Sequence, residues 1–244
     1  MLSRLKTAIA AAALIASCSA ASAADLTKGY QSTAPFSWTG ITIGAYGGTA
    51  AANNSDTSSY NYSGFPAFSG ATDNSFDMKG RFFGVRAGFD YQWQWLVVGA
   101  FVAYEKSNIT GSKELACTGC GYSDLLSTSL KWSGTAAGTI GVAFNRYALY
   151  VGGGLNYGVL SACERFSFPG YNSTTCNDYG AVGPMLLAGF KYAPFDYLVF
   201  GFEYQKGYYT ALKSSTADNL YTFRHDIKAD VDKVLAYALW KFSL

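Results

Sequence analysis

The hydrophobic positions of this chain recur at every second residue over long stretches, most clearly in residues 131–158. One face of the first half carries Trp132, Ala136, Ile140, Val142 and Phe144, and the other carries Ser133, Thr135, Ala137 and Thr139. After Asn145-Arg146 the alternation resumes, with Leu149, Val151, Leu155 and Tyr157 opposite Tyr150, Gly152, Gly154 and Asn156. Two alternating runs joined by about two turn-forming residues predict a β-hairpin.

The length and the ends of these two runs indicate where the hairpin lies. Each run has about ten residues or more, which exceeds the ~5–6 of a usual soluble strand and matches the ~9–11 that cross a bilayer at a tilt. Aromatic residues stand at both ends of the apolar face, and small or aliphatic residues lie between them. An apolar band between two aromatic collars is typical of the outward face of a transmembrane β-barrel.

The same alternation predicts six further strands, over residues 39–49, 77–90, 96–106, 179–192, 197–208 and from 230 to the end. Short turns are predicted at 91–95, 145–146 and 193–196, and long loops at 50–75, 107–126, 160–178 and 209–229. Strict alternation of turns and loops predicts an all-β domain over residues 38–244, an eight-stranded antiparallel up-and-down transmembrane β-barrel. Within it, Pro184 predicts a local bulge or weak spot, because proline removes a ladder hydrogen bond.

Five charged side chains fall on the inward face by this alternation: Arg86, Glu105, Lys191, Glu203 and Lys241. The lumen of an eight-stranded barrel is only wide enough to be filled by side chains. We therefore expect a packed polar plug of ion pairs, with a narrow ion path as the alternative. The sequence does not show which charges meet.

The N-terminal segment reads as a secretory signal peptide over residues 1–23. Arg4 and Lys6 precede a short apolar run, and a small-residue site predicts cleavage between Ala23 and Ala24. Residues 24–37 are then a periplasmic lead-in to the barrel. Lipidation of Cys18 is the competing interpretation, because the residues before it resemble a lipoprotein box.

After such cleavage four cysteines remain: Cys117, Cys120, Cys163 and Cys176. An even number in an exported chain predicts structural disulfides, here in external loops, with the connectivity open. The spacing of Cys117 and Cys120 also fits a redox pair or half of a zinc site. Neither alternative is favoured, since no βαβ pattern surrounds the pair and the chain has a single histidine.

Charge and candidate chemistry exclude several functions. Loss of Arg4 and Lys6 leaves 16 basic against 16 acidic residues, so no nucleic-acid partner is expected. No cluster of histidines and carboxylates has metal-ligand spacing, and neither a metal nor another cofactor is expected. The single histidine, His225, precedes Asp226, but sequence neighbours rarely share the geometry of a hydrolytic site. We predict no catalytic residue and no enzyme activity.

The hairpin also carries a resemblance to a known family. W-x-G-T-x-x-G-x-x-G-x-x-F-x-R followed by L-Y-x-x-G-G-L-x-Y-G, with FSWTGITIGAYGG before the first long loop, is similar to the small outer-membrane β-barrels of Gram-negative bacteria. These are the OmpA/OmpX-like, opacity-type surface proteins of the porin family. The chain departs from them at its last residue, Leu244, where the family usually has an aromatic.

This resemblance implies a monomer in the cell outer membrane with both termini in the periplasm. Its partners would be outer-membrane lipid, including lipopolysaccharide, and the barrel-assembly machinery during biogenesis. The implied role is structural or one of surface interaction through four external loops, with a small pore as the alternative and a lipid-modifying enzyme as a remoter one. Such a protein can also bind an unknown extracellular ligand, and the first loop offers Tyr60, Tyr62, Phe65 and Phe68 as a candidate surface for it. Local packing of the loop or a place in the outer aromatic belt is the favoured alternative for these four residues.

Overall fold

The computed structural model describes residues 36–62, 68–116, 123–168, 171–211, 214–217 and 221–243. Within these ranges the chain is all-β and forms nine antiparallel strands. They are β1 (Gly40–Tyr62), β2 (Phe68–Trp93), β3 (Leu96–Ala116), β4 (Ser123–Phe144), β5 (Tyr147–Phe168), β6 (Tyr171–Phe195), β7 (Leu198–Ala211), β8 (Ser214–Ala217) and β9 (Tyr221–Ser243). The predicted signal peptide with Cys18, Ala23 and Ala24, most of the lead-in, Cys117, Cys120 and Leu244 lie outside the described residues.

Eight of these strands close into a ring. Each of β1 to β7 pairs with the next, except that β7 pairs with β9, and β9 returns to β1 along a register from Gly40↔Ser243 to Tyr62↔Tyr221. The four residues of β8 pair with β9 beyond the last pair of β7, so β8 continues the line of that strand. The predicted eight-stranded up-and-down barrel is confirmed. Closure leaves the ring without an edge, which is what a hydrocarbon environment requires of a sheet.

Three two-residue turns lie at one rim of the barrel, together with the described ends of β1 and β9. They are Gln94-Trp95, Asn145-Arg146 and Asp196-Tyr197, enclosed by the pairs Trp93↔Leu96, Phe144↔Tyr147 and Phe195↔Leu198. The turn predicted at 145–146 is correct. The turn predicted at 91–95 is wider than the real one, because Tyr91 and Trp93 continue β2. The turn predicted at 193–196 begins three residues too early and ends one residue too early, because β6 continues to Phe195. We call this rim the turn end.

The prediction of four long loops is wrong for the described residues. The strands reach 26 residues in β2 and continue through most of residues 50–62, 68–75, 107–116, 160–168 and 221–229. These stretches are rich in Ser, Thr, Asn and Gly and show no apolar alternation that marks a strand. Cross-strand pairing nevertheless satisfies their backbone groups. We call the part of the wall that they form, together with the adjoining residues 76–79, 123–130 and 171–178, the extension.

The polarity of the two faces reverses where the extension begins. Nearer the turn end the outward side chains are apolar, for example Val85, which is 60% exposed. In the extension Met78 and Ile109 point inward and are buried, whereas Lys79 is exposed on the outer face. The wall between the turn end and the extension, which we call the lower wall, therefore suits lipid outside. The extension has a core inside and water outside, as a soluble protein does.

The extension also divides into two sheets. Pairing between β2 and β3 ends at Lys79↔Thr110, and pairing between β6 and β7 ends at Ala181↔Ala211. Beyond these points the described strands pair as β8-β9-β1-β2 and as β3-β4-β5-β6. Between the two sheets, Asn54 Nδ2 donates to Thr128 Oγ1 across 3.4 Å. The two sheets thus meet through their inner faces.

The strand with Pro184 shows no bulge at the proline, so of the two predicted outcomes the weak spot is the correct one. Pairing with β5 continues through Leu155↔Pro184, and pairing with β7 goes from Val182↔Thr210 to Met185↔Gly207 in unchanged register, omitting Pro184. The missing N–H leaves a gap in the ladder instead of an extra residue. Register shifts occur elsewhere, between Leu130 and Trp132 and between Tyr192 and Phe195.

Candidate functional site

The lumen holds three levels of buried ion pairs. At the level nearest the turn end, Lys191 Nζ lies 2.8 and 2.9 Å from the two carboxylate oxygens of Asp90. The Lys191 ammonium also lies 4.9 Å from the ring centre of Tyr150. Closer still to the turn end, Trp38 is fully buried, and its indole N–H donates to the carbonyl oxygen of Asn145 at 3.2 Å. Trp38 therefore lies inside the barrel at the rim of the turn end.

The middle level is centred on Glu203. Its carboxylate accepts hydrogen bonds from Arg86 Nη1 at 2.9 Å, Tyr150 Oη at 2.6 Å and Gln205 Nε2 at 2.6 Å. The guanidinium of Arg86 lies 3.4 Å from the ring centre of Phe101, so it is both paired and stacked. Each charge at this level has a partner, which is the condition for keeping it in a low-dielectric interior.

The third level joins Glu105 to Lys233. The Lys233 ammonium forms an ion pair with the Glu105 carboxylate, and Ser133 Oγ donates to the same carboxylate at 2.6 Å. Tyr46 Oη donates to its other oxygen at 3.1 Å. Glu105 and Lys233 are 1% and 2% exposed. Above this level begins the apolar core of the extension, with Met78, Ile109, Leu130 and Leu160.

Two glycines make room for the tyrosines of the middle level. A Cβ at Gly189 would overlap the phenol ring of Tyr150, and one at Gly201 would overlap that of Tyr237. The two phenol oxygens meet at 3.0 Å. Small residues on one strand thus accept large ones from another, and the lumen is filled at this level.

All five inward charges of the sequence analysis are buried, and the structure shows their partners. Arg86 meets Glu203, whereas Glu105 and Lys191 meet two residues that the sequence analysis did not select, Lys233 and Asp90. The sequence pattern could have identified both residues, because positions an even number apart on a strand face the same side. Asp90 lies four residues from Arg86 on β2, and Lys233 lies eight residues from Lys241 on β9. The fifth, Lys241, donates to Ser243 Oγ at 2.9 Å and has no acidic partner among the described residues.

The outer face of the lower wall is an apolar band between two aromatic collars. Near the turn end, Tyr147 stacks on Tyr192 with ring centres 4.8 Å apart. At the other collar, which borders the extension and which we call the upper collar, the ring centre of Trp132 lies 5.9 Å from that of Tyr104 and 5.6 Å from that of Tyr157. Twelve residues separate Trp132 from Phe144 on β4. A rise of about 3.3 Å per residue and a tilt of about 40° place the collars about 30 Å apart, the thickness of a bilayer core.

Exposed ion pairs lie outside this band. Lys131 Nζ is 2.8 Å from both carboxylate oxygens of Asp178 at the start of the extension. Hydrogen bonds from Lys131 and Ser161 lower the pKa of the Asp178 carboxyl. Near the turns, Arg146 Nη2 lies 2.7 Å from Asp196. Exposed pairs such as these contribute little to stability, about 0–1 kcal/mol each.

A disulfide joins Cys163 and Cys176, two of the four predicted cysteines. The two residues face each other directly on β5 and β6. The bridge was expected in a loop, but it links two paired strands of the extension, which is another consequence of the strands being longer than predicted.

Candidate catalytic and metal-binding groups are sparse among the described residues. The backbone register places His225 on β9 opposite Ser58 on β1 and opposite Ser214 on β8. The residues that the structure describes contain no group of three or more His, Cys, Asp and Glu suited to a metal ion. In the same ranges no helix has the length and hydrophobicity needed to span a membrane.

A closed barrel with an apolar outer band, two aromatic collars and a charged, filled interior is the architecture of outer-membrane-type transmembrane β-barrels. A soluble lipocalin-type barrel has the opposite arrangement, with a lumen lined to hold a small ligand. The fold and the filled interior therefore place the chain in the class of outer-membrane-type transmembrane β-barrels, as the sequence pattern predicted.

Comparison with known proteins does not narrow this class to a family. No family model matches the chain, and no curated protein matches it. Among solved structures it is similar to the outer membrane protein OprG from Pseudomonas aeruginosa, at 16% identity and a TM-score of 0.42, over 84% of this chain and 97% of that one.

Two further similar structures are those of Neisserial surface protein A and of Ail, the attachment invasion locus protein of Yersinia pestis. The first shares 13% identity over 81% of this chain and 99% of that chain, with a TM-score of 0.35. The second shares 14% over 80% and 99%, with a TM-score of 0.31. At these values the similarity carries no argument about function, and the fold assignment rests on the strand pairing itself.

Proposed function

We propose that this protein is an integral outer-membrane protein with a closed lumen, and that it acts through the surface of its extension. The role is structural or one of surface interaction, without catalysis. The observation that carries the proposal is the interior: three ion pairs at successive levels, each with both partners buried.

The filled lumen supports this role over that of a pore. A pore for ions needs a continuous water path, whereas here Arg86 is packed against Phe101 and the phenols of Tyr150 and Tyr237 touch at mid-height. Above them lies an apolar core with fully buried Met78 and Ile109. An ion would have to displace ion-paired side chains and then cross an apolar layer.

The extension supports a surface role. It carries strands well beyond the collar at Trp132, and the disulfide between Cys163 and Cys176 cross-links two of them. A wall that is ordered by pairing and cross-linking presents a fixed surface, which lowers the ordering cost of binding a partner.

Single-channel recording in a planar bilayer tests the closed lumen. The chain lacking residues 1–23 is refolded, and a heat-dependent shift in gel mobility establishes that the barrel has formed. We expect folded wild type to give no conductance steps. A variant that thins the plug, Tyr150→Ala with Tyr237→Ala, serves as the matched control, because it removes two touching phenols without changing any charge.

Wild type is expected to be silent. Reproducible steps from folded wild type would reject the closed lumen and favour the small pore. The tyrosine variant locates the barrier: steps from it would assign the block to the two phenols, and silence would assign it to the ion pairs and the apolar core, which the variant leaves in place.

The non-catalytic part of the proposal concerns His225. It lies nine residues along β9 from Val234, which is exposed near the upper collar. At about 3.3 Å per residue and a tilt of about 40° it is about 20 Å beyond the band, too far to reach an acyl ester of a lipid. We predict that His225→Ala leaves the lipid profile of the envelope unchanged by mass spectrometry. A lipid species that disappears in this variant, and likewise in Ser58→Ala, would indicate catalysis instead.

A further inference from the structure

A group of unpaired cations lies on the outer face of β2 and β3, where the extension begins. Lys79, Arg81 and Lys106 are all exposed, and no carboxylate of the described residues pairs with them. The other exposed cations near the band are paired: Lys131 with Asp178, Arg146 with Asp196, and Lys206 with Asp232. The contrast leaves an excess of positive charge on one side of the barrel.

The register brings these cations close to one another. Lys106 pairs with Phe83 and Lys79 pairs with Thr110, and Arg81 lies between Phe83 and Lys79 on β2. Diagonal neighbours on one face of a sheet are about 7–8 Å apart, which long side chains span. Arg81 and Lys106 can therefore converge on a single anionic group.

A groove of about 480 Å³ lies at this point, and its lining includes Arg81, Phe83, Lys106 and Asn108. Gly48 also lines the groove. The Asn108 side-chain oxygen accepts a hydrogen bond from the Arg81 backbone N–H at 2.7 Å. Its amide N–H group is thus a further donor on the same side as the two cations.

The surface beneath the groove is continuous with the apolar band. Phe83 is 70% exposed, and below it on the same two strands Val85 and Val102 are also exposed. A ligand in the groove with acyl chains would lay them along this surface. Cations and an amide donor directly above an apolar strip match the order of groups in a phosphorylated lipid, from headgroup to chains.

We propose that the groove formed by Arg81, Lys106 and Asn108 binds the phosphate group of a membrane lipid in the leaflet that borders the extension. The guanidinium and the ammonium bind the phosphate oxygens through charge-assisted hydrogen bonds, and the acyl chains lie on Val85 and Val102. This inference rests on the proposed membrane location, but not on a closed lumen or on the absence of catalysis.

The test is native mass spectrometry of the folded protein released from detergent micelles. The added lipids are dipalmitoyl phosphatidic acid, which carries a phosphomonoester, and dipalmitoyl phosphatidylcholine, which has the same chains and no net charge. Inorganic phosphate is added separately as a competitor. Wild type is expected to retain phosphatidic acid in preference to phosphatidylcholine, and excess inorganic phosphate is expected to displace little of it.

The matched variants are R81Q/K106Q and R146Q/K206Q, which each remove one arginine and one lysine. The first should weaken retention of phosphatidic acid about 25-fold, at about fivefold for each cation near a membrane surface. The second should change it by no more than about twofold, as for surface substitutions away from a site. The charge-preserving R81K/K106R should retain most of the binding.

Equal losses in R81Q/K106Q and R146Q/K206Q would overturn the inference, because attraction would then depend on net charge alone. Equal retention of the two lipids by wild type would overturn it too. Displacement by inorganic phosphate at the same concentration as the lipid would assign the groove to a soluble anion instead. Gel mobility establishes folding of each variant first, so a barrel that fails to insert would contradict the proposed membrane location and not this site.

Discussion

Glu203 shows at the scale of single residues why the buried charges are tolerated. The residue is 2% exposed, and its carboxylate accepts hydrogen bonds from Arg86, Tyr150 and Gln205. Desolvation of a carboxylate costs several kcal/mol, which a well-placed cation and two neutral donors offset. Removing one partner leaves the other charge buried without compensation, so the two residues are expected to be strongly coupled.

The first prediction follows from this coupling. Arg86→Met should destabilise the folded barrel by about 3–5 kcal/mol, because it leaves the Glu203 carboxylate unpaired. The double variant Arg86→Met, Glu203→Gln should recover much of that loss, since Gln still accepts from Tyr150. Urea unfolding in micelles, followed by tryptophan fluorescence, measures both. Equal destabilisation in the single and the double variant would mean that the ion pair is not the cause.

β2 illustrates the scale of the element, because a single strand passes from a lipid-facing wall into a water-exposed sheet. Val85 is exposed on its outer face, and seven residues earlier Met78 is 1% exposed on the inner one. The side chains of β2 continue to alternate between the inner and the outer face without interruption, and only the polarity of the two faces changes. The point of reversal coincides with the collar and with the cations of the lipid-binding groove.

The second prediction tests whether the inner face of the extension is a true core. Met78→Ala should lower the free energy of unfolding by about 2–5 kcal/mol, as for a buried methionine. Its neighbour Lys79→Ala, on the exposed face of the same strand, should change it by no more than about 0.5 kcal/mol. Guanidinium unfolding of the refolded protein compares them. Similar small effects at both positions would show that the extension contributes no core to stability.

The lower wall could be predicted from the sequence because lipid demands apolar residues at every second position. The two-residue turn at Asn145-Arg146 and the inward direction of Arg86 and Glu203 follow from that rule. The extension could not be predicted in this way, since its outward positions include polar residues such as Asn53 and Ser75, and its inner ones include Ala50 and Ala52. Nor does alternation say which charges meet: Glu105 and Lys233 lie on strands that no local signal connects.

At the scale of the whole molecule, the two collars define one orientation relative to a bilayer. Trp240 is 49% exposed on the outer face, whereas Trp38 is 1% exposed inside the rim of the turn end. Lipid chains can therefore contact one indole and not the other, although both lie near the same end of the barrel.

The third prediction uses this difference. In single-tryptophan variants, with the other tryptophans replaced by Phe, brominated lipid chains should quench Trp240 and leave Trp38 nearly unquenched. Direct contact is required for such quenching, so the exposed indole reports the lipid-facing wall. Fluorescence titration in vesicles with increasing brominated lipid measures both variants. Strong quenching of Trp38 would place that residue outside the barrel and contradict the structure at the turn end.

The three ion pairs also bear on how the ring can close correctly. They join β2 to β6, β2 to β7 and β3 to β9, so every partnership spans strands that are not neighbours. If β9 paired one residue out of register, Lys233 would face lipid; two residues out, it would lie about 7 Å along the strand from Glu105. Either error leaves a carboxylate buried alone. The interior thus acts as an error check on assembly, penalising misjoined strands that the repetitive outer face would accept.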